Sequence, residues 1–310
     1  MLKVGDQVEV LSAGEILATL DERGELDGLP FMPEMLRYCG RRMTVFKVAH
    51  KLCDTIEYTG IRRMRDAVHL AESRCDGSAH GGCQAACLIY WKTAWLRPVS
   101  AEGRPAATGP VDVTLLERAT TKEPDEDGAT RYSCQATEML RAAPERLPLK
   151  DVRQFWWDYR TGNTGAADTL RGFVTALIGR IRARLGLGEA RVIKGRAGTR
   201  TPVANLDLET GELVRVRSMD EIAETLDAGL RNRGMAFADD LTEFCGKTGR
   251  ISGRIDRLIE ESSGRMIEMK TPSLVIDGFV CPGRRSFNCP RSHLAYWREI
   301  WLERVPTDEG

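Results

Sequence analysis

The sequence has no excess charge of either sign, no long apolar run and few aromatic residues. Its 45 basic and 45 acidic residues cancel, so no overall field draws the chain to nucleic acid or to an anionic membrane. No apolar stretch approaches the roughly 20 residues that cross a bilayer. The opening residues, MLKVGDQVEV, lack the apolar core of a signal peptide. These absences predict a cytoplasmic protein with no membrane partner and make a nucleic-acid partner unlikely on charge alone.

Common catalytic and nucleotide-binding motifs are also missing. The sequence contains no P-loop, no dinucleotide fingerprint, no nucleophile elbow and no H-E-x-x-H zinc motif. No paired carboxylates are spaced for acid–base catalysis. The sequence therefore assigns no catalytic residue and leaves open whether the protein is an enzyme.

What the sequence does contain is the same stretch twice, 206 residues apart and without a gap. Two copies predict a pair of related domains and not a solenoid, which needs at least three repeats. We therefore predict a first repeat at 1–99, a linker and helical middle module at 100–206, and a second repeat at 207–310. The most informative identities pair Gly5 with Gly211, Ser12 with Ser218, Cys39 with Cys245, Cys75 with Cys281, Cys83 with Cys289, Trp91 with Trp297, and Trp95 with Trp301.

Local patterns predict an α+β fold in each repeat. The segments GDQVEV and GELVRV alternate apolar and polar residues, which is typical of strands, and Ser12 and Ser218 are suited to cap short helices. The strand-opening GD and the later C-G strand resemble those of small SH3-like barrels. The i, i+4 spacing of the tryptophans predicts a Trp-bearing C-terminal helix. Between the repeats, the segments at 151–160 and 166–185 predict a helical insert.

Seven of the nine cysteines occupy repeat-matched positions, and one matched position changes from Cys87 to His293. Cysteine and histidine both ligate tetrahedral Zn²⁺, so this exchange points to a metal. We predict that Cys83 and Cys87 begin a helix and that their thiols face the same way. The predicted ligands are Cys39, Cys75, Cys83 and Cys87 in the first site, and Cys245, Cys281, Cys289 and His293 in the second.

Other interpretations of these residues stay open. Thiolates with a histidine also ligate iron–sulfur clusters, and buried cysteines often act as small core residues. Cys39 and Cys245, each in a predicted strand, are the members that best suit such a core role. Cys53 and Cys134 fall outside both sets, and we expect them to lie in the core.

Two resemblances accompany this pattern. The stretch RCDGSAH resembles the C-D-G-S-H core of small iron–sulfur proteins, although Ala79 interrupts it and the upstream C-x-C pair is missing. That resemblance implies that His80 would replace one thiolate as a cluster ligand. The stretches LDGLPFMPEMLRYCGRR, RCDGSAHGGCQAACLIYW and AYWREIWL are similar to a bacterial family of duplicated cysteine-rich proteins, associated with biosynthetic gene clusters and without an established activity.

The sequence therefore predicts a cytoplasmic two-site metal-binding protein, with structural zinc as the cofactor. A groove or the middle module would bind a protein partner or a small molecule. One rival is an iron–sulfur protein for electron transfer or metabolite chemistry. A second rival is a nucleic-acid-binding module that uses the basic run at 180–200.

Overall fold

The computed structural model describes residues 1–99, 112–148, 151–186, 193–284 and 286–306. The predicted linker at 100–110 and part of the basic run, 187–192, lie outside the described residues. The chain is α+β, as predicted, with antiparallel sheets and short helices. None of the helices that the structure describes is long and apolar enough to cross a bilayer.

The chain forms two compact units that are not continuous in sequence. Unit 1 comprises Met1–Val174, Arg257–Ile267 and Ser286–Arg291, and unit 2 comprises Thr175–Asp256, Glu268–Arg285 and Ser292–Gly310. Two short segments of the second repeat therefore belong to the unit that holds the whole first repeat.

The first repeat contains nine strands, one α-helix and two 3₁₀ helices. The strands are β1 (Gln7–Val10), β2 (Glu25–Leu26), β3 (Leu29–Pro30), β4 (Arg42–Val48), β5 (Lys51–Cys53), β6 (Ile61–Arg63), β7 (Ala67–Arg74), β8 (Leu88–Lys92) and β9 (Leu96–Pro98). The helices are α1 (Ala13–Leu17) and the 3₁₀ helices Pro33–Tyr38 and Thr93–Trp95.

The insert contributes four helices and one hairpin among its described residues. These elements are α2 (Thr114–Arg118), β10 (Thr121–Lys122), β11 (Arg131–Tyr132), α3 (Met139–Ala142), α4 (Arg153–Thr161) and α5 (Ala166–Arg184). The predicted helices of the insert are thus confirmed as α4 and α5. Apolar side chains of α5 are exposed to solvent, with Leu170 at 64% and Ile178 at 52% exposure.

The second repeat reproduces most elements of the first, but its described residues form seven strands instead of nine, because the short strands β5 and β6 have no separate counterparts. Its elements are β12 (Leu213–Val216), α6 (Met219–Ala223), β13 (Arg231–Asn232), β14 (Met235–Ala236), a 3₁₀ helix (Asp239–Phe244), β15 (Thr248–Ile259), β16 (Met266–Val280), β17 (Leu294–Trp297), a 3₁₀ helix (Glu299–Trp301) and β18 (Leu302–Arg304). Both predicted caps are present, because Ser12 and Ser218 each form a capping box with a glutamate three residues later.

Each repeat builds one five-stranded antiparallel sheet. The strand order is β8-β7-β4-β1-β9 in the first repeat and β17-β16-β15-β12-β18 in the second. In both sheets the first strand of the repeat (β1 or β12) lies between the first long strand (β4 or β15) and the last short strand (β9 or β18). The register is equivalent as well, since Val8 pairs with Pro98 and Val214 pairs with Arg304.

The predicted Trp-bearing C-terminal helix is wrong. Trp91 lies in strand β8, opposite Val68 of β7, and Trp95 ends a three-residue 3₁₀ helix. Aromatic side chains suit a pleated sheet at least as well as a helix. The 3₁₀ helix Thr93–Trp95 follows this strand and places Trp95 in the same core as Trp91. An i, i+4 spacing within so short a run therefore does not identify a helix.

The tryptophans form the centre of each core. Trp91, Trp95, Trp297 and Trp301 are fully buried. The ring of Phe31 lies edge-on to that of Trp95, with 5.2 Å between the ring centroids. In the second repeat, Phe237 and Trp301 make the same edge-on contact at the same centroid distance. Such edge-to-face contacts stabilise a core beyond the area that they bury.

Candidate metal centre

The candidate centre begins with Glu34, a carboxylate inside the first repeat. Glu34 lies in the first turn of the 3₁₀ helix Pro33–Tyr38, which starts at a proline whose fixed φ suits that position. Its side chain is fully buried. Oε1 accepts a hydrogen bond from the backbone N–H of Ala79 at 3.0 Å. Oε2 has no hydrogen-bond partner among the described residues. A buried, unsatisfied carboxylate oxygen is costly and therefore indicates a role in binding.

His80 meets this carboxylate from a tight loop. Its Nδ1 lies 2.6 Å from Oε1 of Glu34, and its Nε2 lies 3.0 Å from the carbonyl oxygen of Ser133. The loop depends on Gly77 (φ +70°), since a Cβ there would meet the carbonyl of Cys83 at 2.0 Å. Two further bonds to the Gly77 carbonyl, from the N–H groups of His80 and Gly82, close the turn.

The two ring nitrogens of His80 face two oxygens, Nδ1 the carboxylate of Glu34 and Nε2 the carbonyl of Ser133. Burial acts to raise the pKa of Glu34, but the hydrogen bond and the charge of His80 hold that pKa below the usual carboxyl value. Glu34 is therefore a carboxylate beside the imidazole ring.

Cys75 completes the group. Its Sγ lies 3.9 Å from Oε1 of Glu34, and the thiol donates to that oxygen. Burial, and then the charge of Glu34, raise the pKa of Cys75 far above its usual value. A thiol with so high a pKa is a poor nucleophile at neutral pH, whereas a metal ion can displace its proton.

The donor atoms of Glu34, Cys75 and His80 all lie within 4.8 Å of one another. Among the residues that the structure describes, no other three His, Cys, Asp or Glu donors meet this closely. Sulfur, nitrogen and oxygen donors of these types are those that Zn²⁺ accepts in a tetrahedral site. The residues present therefore fit a zinc ion, with one coordination position left for a fourth donor.

The structure places the other predicted ligands of the first repeat outside this group. Cys39 follows the 3₁₀ helix and packs against the hydrophobic core, where burial raises its pKa to about 11. Cys83 and Cys87 lie in the loop before β8 and not on a helix. The Sγ of Cys83 accepts a hydrogen bond from the N–H of Ile259 at 3.4 Å. The carbonyl of Cys87 accepts from the N–H of Cys75 at 2.9 Å.

The predicted second site is divided between the two units. Cys245, Cys281 and His293 belong to unit 2, and Cys289 belongs to unit 1. Cys281 repeats part of the first arrangement, because its Sγ lies 3.8 Å from Oδ2 of Asp240. Asp240 and Cys281 are the repeat partners of Glu34 and Cys75.

The second repeat nevertheless lacks the imidazole of this arrangement, because Ser286 occupies the position equivalent to His80. Ser286 itself belongs to unit 1.

Sequence reasoning did not include Glu34 among the candidate ligands. A signal was available, because Glu34 and Asp240 are both acidic at the same repeat position. The prediction that Cys53 and Cys134 lie in the core is confirmed, because both are partly buried and pack against the hydrophobic core of unit 1. Burial raises the pKa of Cys134 to about 11, and the neighbouring Cys83 contributes to that rise.

Unit 1 also contains a cleft of about 1170 Å³ that is separate from the metal group. Its walls include His50 and Arg63 from the first repeat and Trp157 from α4. Glu34, Cys75 and His80 do not line it.

No protein-family model matches the chain, and no curated protein matches it significantly.

Proposed function

We propose that the protein binds zinc through Cys75, His80 and Glu34 of its first repeat. The observation that carries this proposal is the unpartnered Oε2 of Glu34, a fully buried oxygen beside a thiol and an imidazole. A zinc ion would neutralise the carboxylate and the thiolate and would satisfy that oxygen. The role is structural, because the imidazole and carboxylate are closed off from solvent.

The proposed ion would connect three parts of unit 1. Glu34 stands on a 3₁₀ helix, Cys75 directly follows β7, and His80 lies in the loop that touches Ser133 of the insert. A small domain gains stability from such a link, because the site does not exist in the unfolded chain and the free energy of metal binding therefore adds to the free energy of folding. Each five-stranded sheet, with a 3₁₀ turn before its last strand, supports the further proposal that each repeat is an SH3-like small barrel within the domain limits predicted above.

Elemental analysis of the chain, purified without chelators under anaerobic conditions, tests the zinc proposal. We expect one equivalent of zinc in a colourless protein, and we expect His80→Ala and Glu34→Gln to lose it. Ser286→Ala alters the repeat partner of His80 and is the matched control, which should keep its zinc. Zinc retained by both His80→Ala and Glu34→Gln would contradict the assignment.

A second candidate is an iron–sulfur cluster, because Cys75, Cys83, Cys87 and Cys134 all belong to unit 1 and affect one another's pKa, although no three of these thiols lie within 4.8 Å of one another. Burial raises the pKa of Cys87 to about 12, and the nearby Cys134 and Cys83 contribute to that rise. Cys87 and Cys134 in turn contribute to the raised pKa of Cys75. Four cysteine thiolates are the usual ligands of such clusters, and this set contains Cys134 in place of the predicted Cys39.

The absorption spectrum of the anaerobic protein distinguishes the two candidates. A cluster would give a brown protein with visible charge-transfer bands and bound iron. Cys134→Ser should then bleach the protein, whereas Cys39→Ser should not. Under the zinc proposal both variants stay colourless and retain zinc. A brown wild type that Cys134→Ser leaves unchanged would exclude this four-thiol set.

A further inference from the structure

Cys53 and Cys289 are far apart in sequence and adjacent in unit 1. Cys53 ends strand β5, and its backbone N–H donates a hydrogen bond to Sγ of Cys289 at 3.1 Å. Cys289 is 6% exposed, whereas Cys53 is only partly buried. The two thiols are also in contact, and this contact, together with burial, raises the pKa of Cys289.

Arg291 fixes this segment in place. Its guanidinium is 4% exposed and donates to Oγ1 of Thr55 at 2.7 Å and to Oε1 of Glu261 at 2.7 Å. It also donates to the carbonyl of Cys53 at 3.5 Å. These bonds join the segment that carries Cys289 to the strand that carries Cys53. Charge-assisted bonds therefore hold together the two backbone segments that carry the sulfurs.

The equivalent place in the other copy contains only one thiol. Cys83 is the repeat partner of Cys289, and Ile259 is the repeat partner of Cys53. The N–H of Ile259 donates to Sγ of Cys83 at 3.4 Å, so the backbone arrangement is the same. The chain thus contains an internal comparison: one position has a dithiol, and its counterpart has a thiol beside an isoleucine.

We propose that Cys53 and Cys289 form a redox-active dithiol that closes to a disulfide when it meets a low-molecular-weight disulfide. This proposal does not depend on the zinc site, which uses neither residue. The thiolate of the more accessible Cys53 attacks one sulfur of the small disulfide, and the S–S bond breaks. The first small thiolate leaves and takes up a proton.

Cys289 then attacks the Cys53 sulfur of this mixed disulfide. The second small thiol leaves with the proton that Cys289 gives up. In sum, two protein thiols are oxidised to one disulfide, and one small disulfide is reduced to two thiols. Because burial raises the pKa of Cys289, the thiolate fraction and the closure rate increase as the pH rises.

Peptide mapping of the intact chain tests the proposal. The reduced protein is incubated with glutathione disulfide at pH 8, alkylated and digested with trypsin. We expect a disulfide between the peptides at 52–62 and 286–291. Cys245→Ser, which removes a partly buried cysteine of unit 2, should leave this link unchanged. Cys53→Ser should abolish it and leave Cys289 as an alkylated thiol.

The internal comparison supplies a gain-of-function variant. Ile259→Cys places a second thiol beside Cys83 and should produce a new link between the peptides that carry those two residues. The mapping of wild-type protein needs no variant, so a folding defect cannot obscure the result. The proposal is overturned if Cys53 is fully alkylated after oxidation, or if Cys53 links mainly to Cys83, Cys87 or Cys134.

Discussion

Lys51→Met should lower the free energy of unfolding by about 3–5 kcal/mol, which is the typical result of breaking a buried ion pair. Nζ of Lys51 lies 2.5 Å from Oδ2 of Asp158, and both side chains are completely buried. Lys51 belongs to β5, and Asp158 belongs to α4 of the insert. Removing the ammonium leaves a carboxylate in the interior, with His50 at 3.1 Å and Lys47 as its remaining basic neighbours.

Amide hydrogen exchange at increasing urea concentrations measures this effect, because it gives the opening free energy of amides in unit 1 separately from that of amides in unit 2. The double variant Lys51→Met/Asp158→Leu should recover most of the loss, since it removes both charges together. Arg196→Ala is the control for an ordinary surface pair, because Arg196 and its acidic partners are exposed. It should change stability little. A Lys51→Met protein as stable as wild type would show that Asp158 is not a buried charge.

Zinc affinity should rise steeply with pH if Cys75 is a ligand. Burial and Glu34 keep the pKa of Cys75 far above neutrality, so zinc must displace the thiol proton on binding. The metal-free protein holds that proton throughout pH 6–8, and the complex does not. Each proton released then raises the apparent affinity about tenfold per pH unit, or about 1.4 kcal/mol. Across two pH units, the increase is at least about 100-fold.

Competition with a chromophoric chelator at pH 6, 7 and 8 measures this slope. Cys39→Ser should keep it, because Cys39 lies outside the donor group. Cys75→Ser should weaken binding and reduce the slope by one proton, since a serine hydroxyl is a much poorer zinc ligand. An affinity that does not vary with pH in the wild type would remove Cys75 from the site.

The sequence predicted the repeat and much of its local structure, because these features depend on neighbouring residues. Alternation in GDQVEV predicted β1, and Ser12 predicted the cap of α1. The error at Trp91 and Trp95 has a physical origin. Two large apolar residues four apart can share a core through a helix or through a strand that ends in a tight turn. Periodicity does not separate these cases over a few residues.

The candidate site was harder to predict, because it is made by contacts across the fold. Cysteines are recognisable as candidate ligands from the sequence alone. Glu34, in contrast, contacts His80 only because a 3₁₀ helix and a distant loop pack together in the fold. The alignment of the two repeats indicated which residues are equivalent, but it did not indicate which residues contact each other in the fold. Cys289 shows this, because its observed neighbour, Cys53, belongs to the other copy.

The discontinuity of unit 1 affects its synthesis on the ribosome. Its first 174 residues emerge early, but Arg257–Ile267 and Ser286–Arg291 are also part of it. Arg291 and Glu261 cannot make their bonds to Thr55 until the segments that carry them have left the exit tunnel. The nascent N-terminal part of unit 1 must therefore wait, partly assembled, for segments of the second repeat, which lengthens its exposure to aggregation and chaperones.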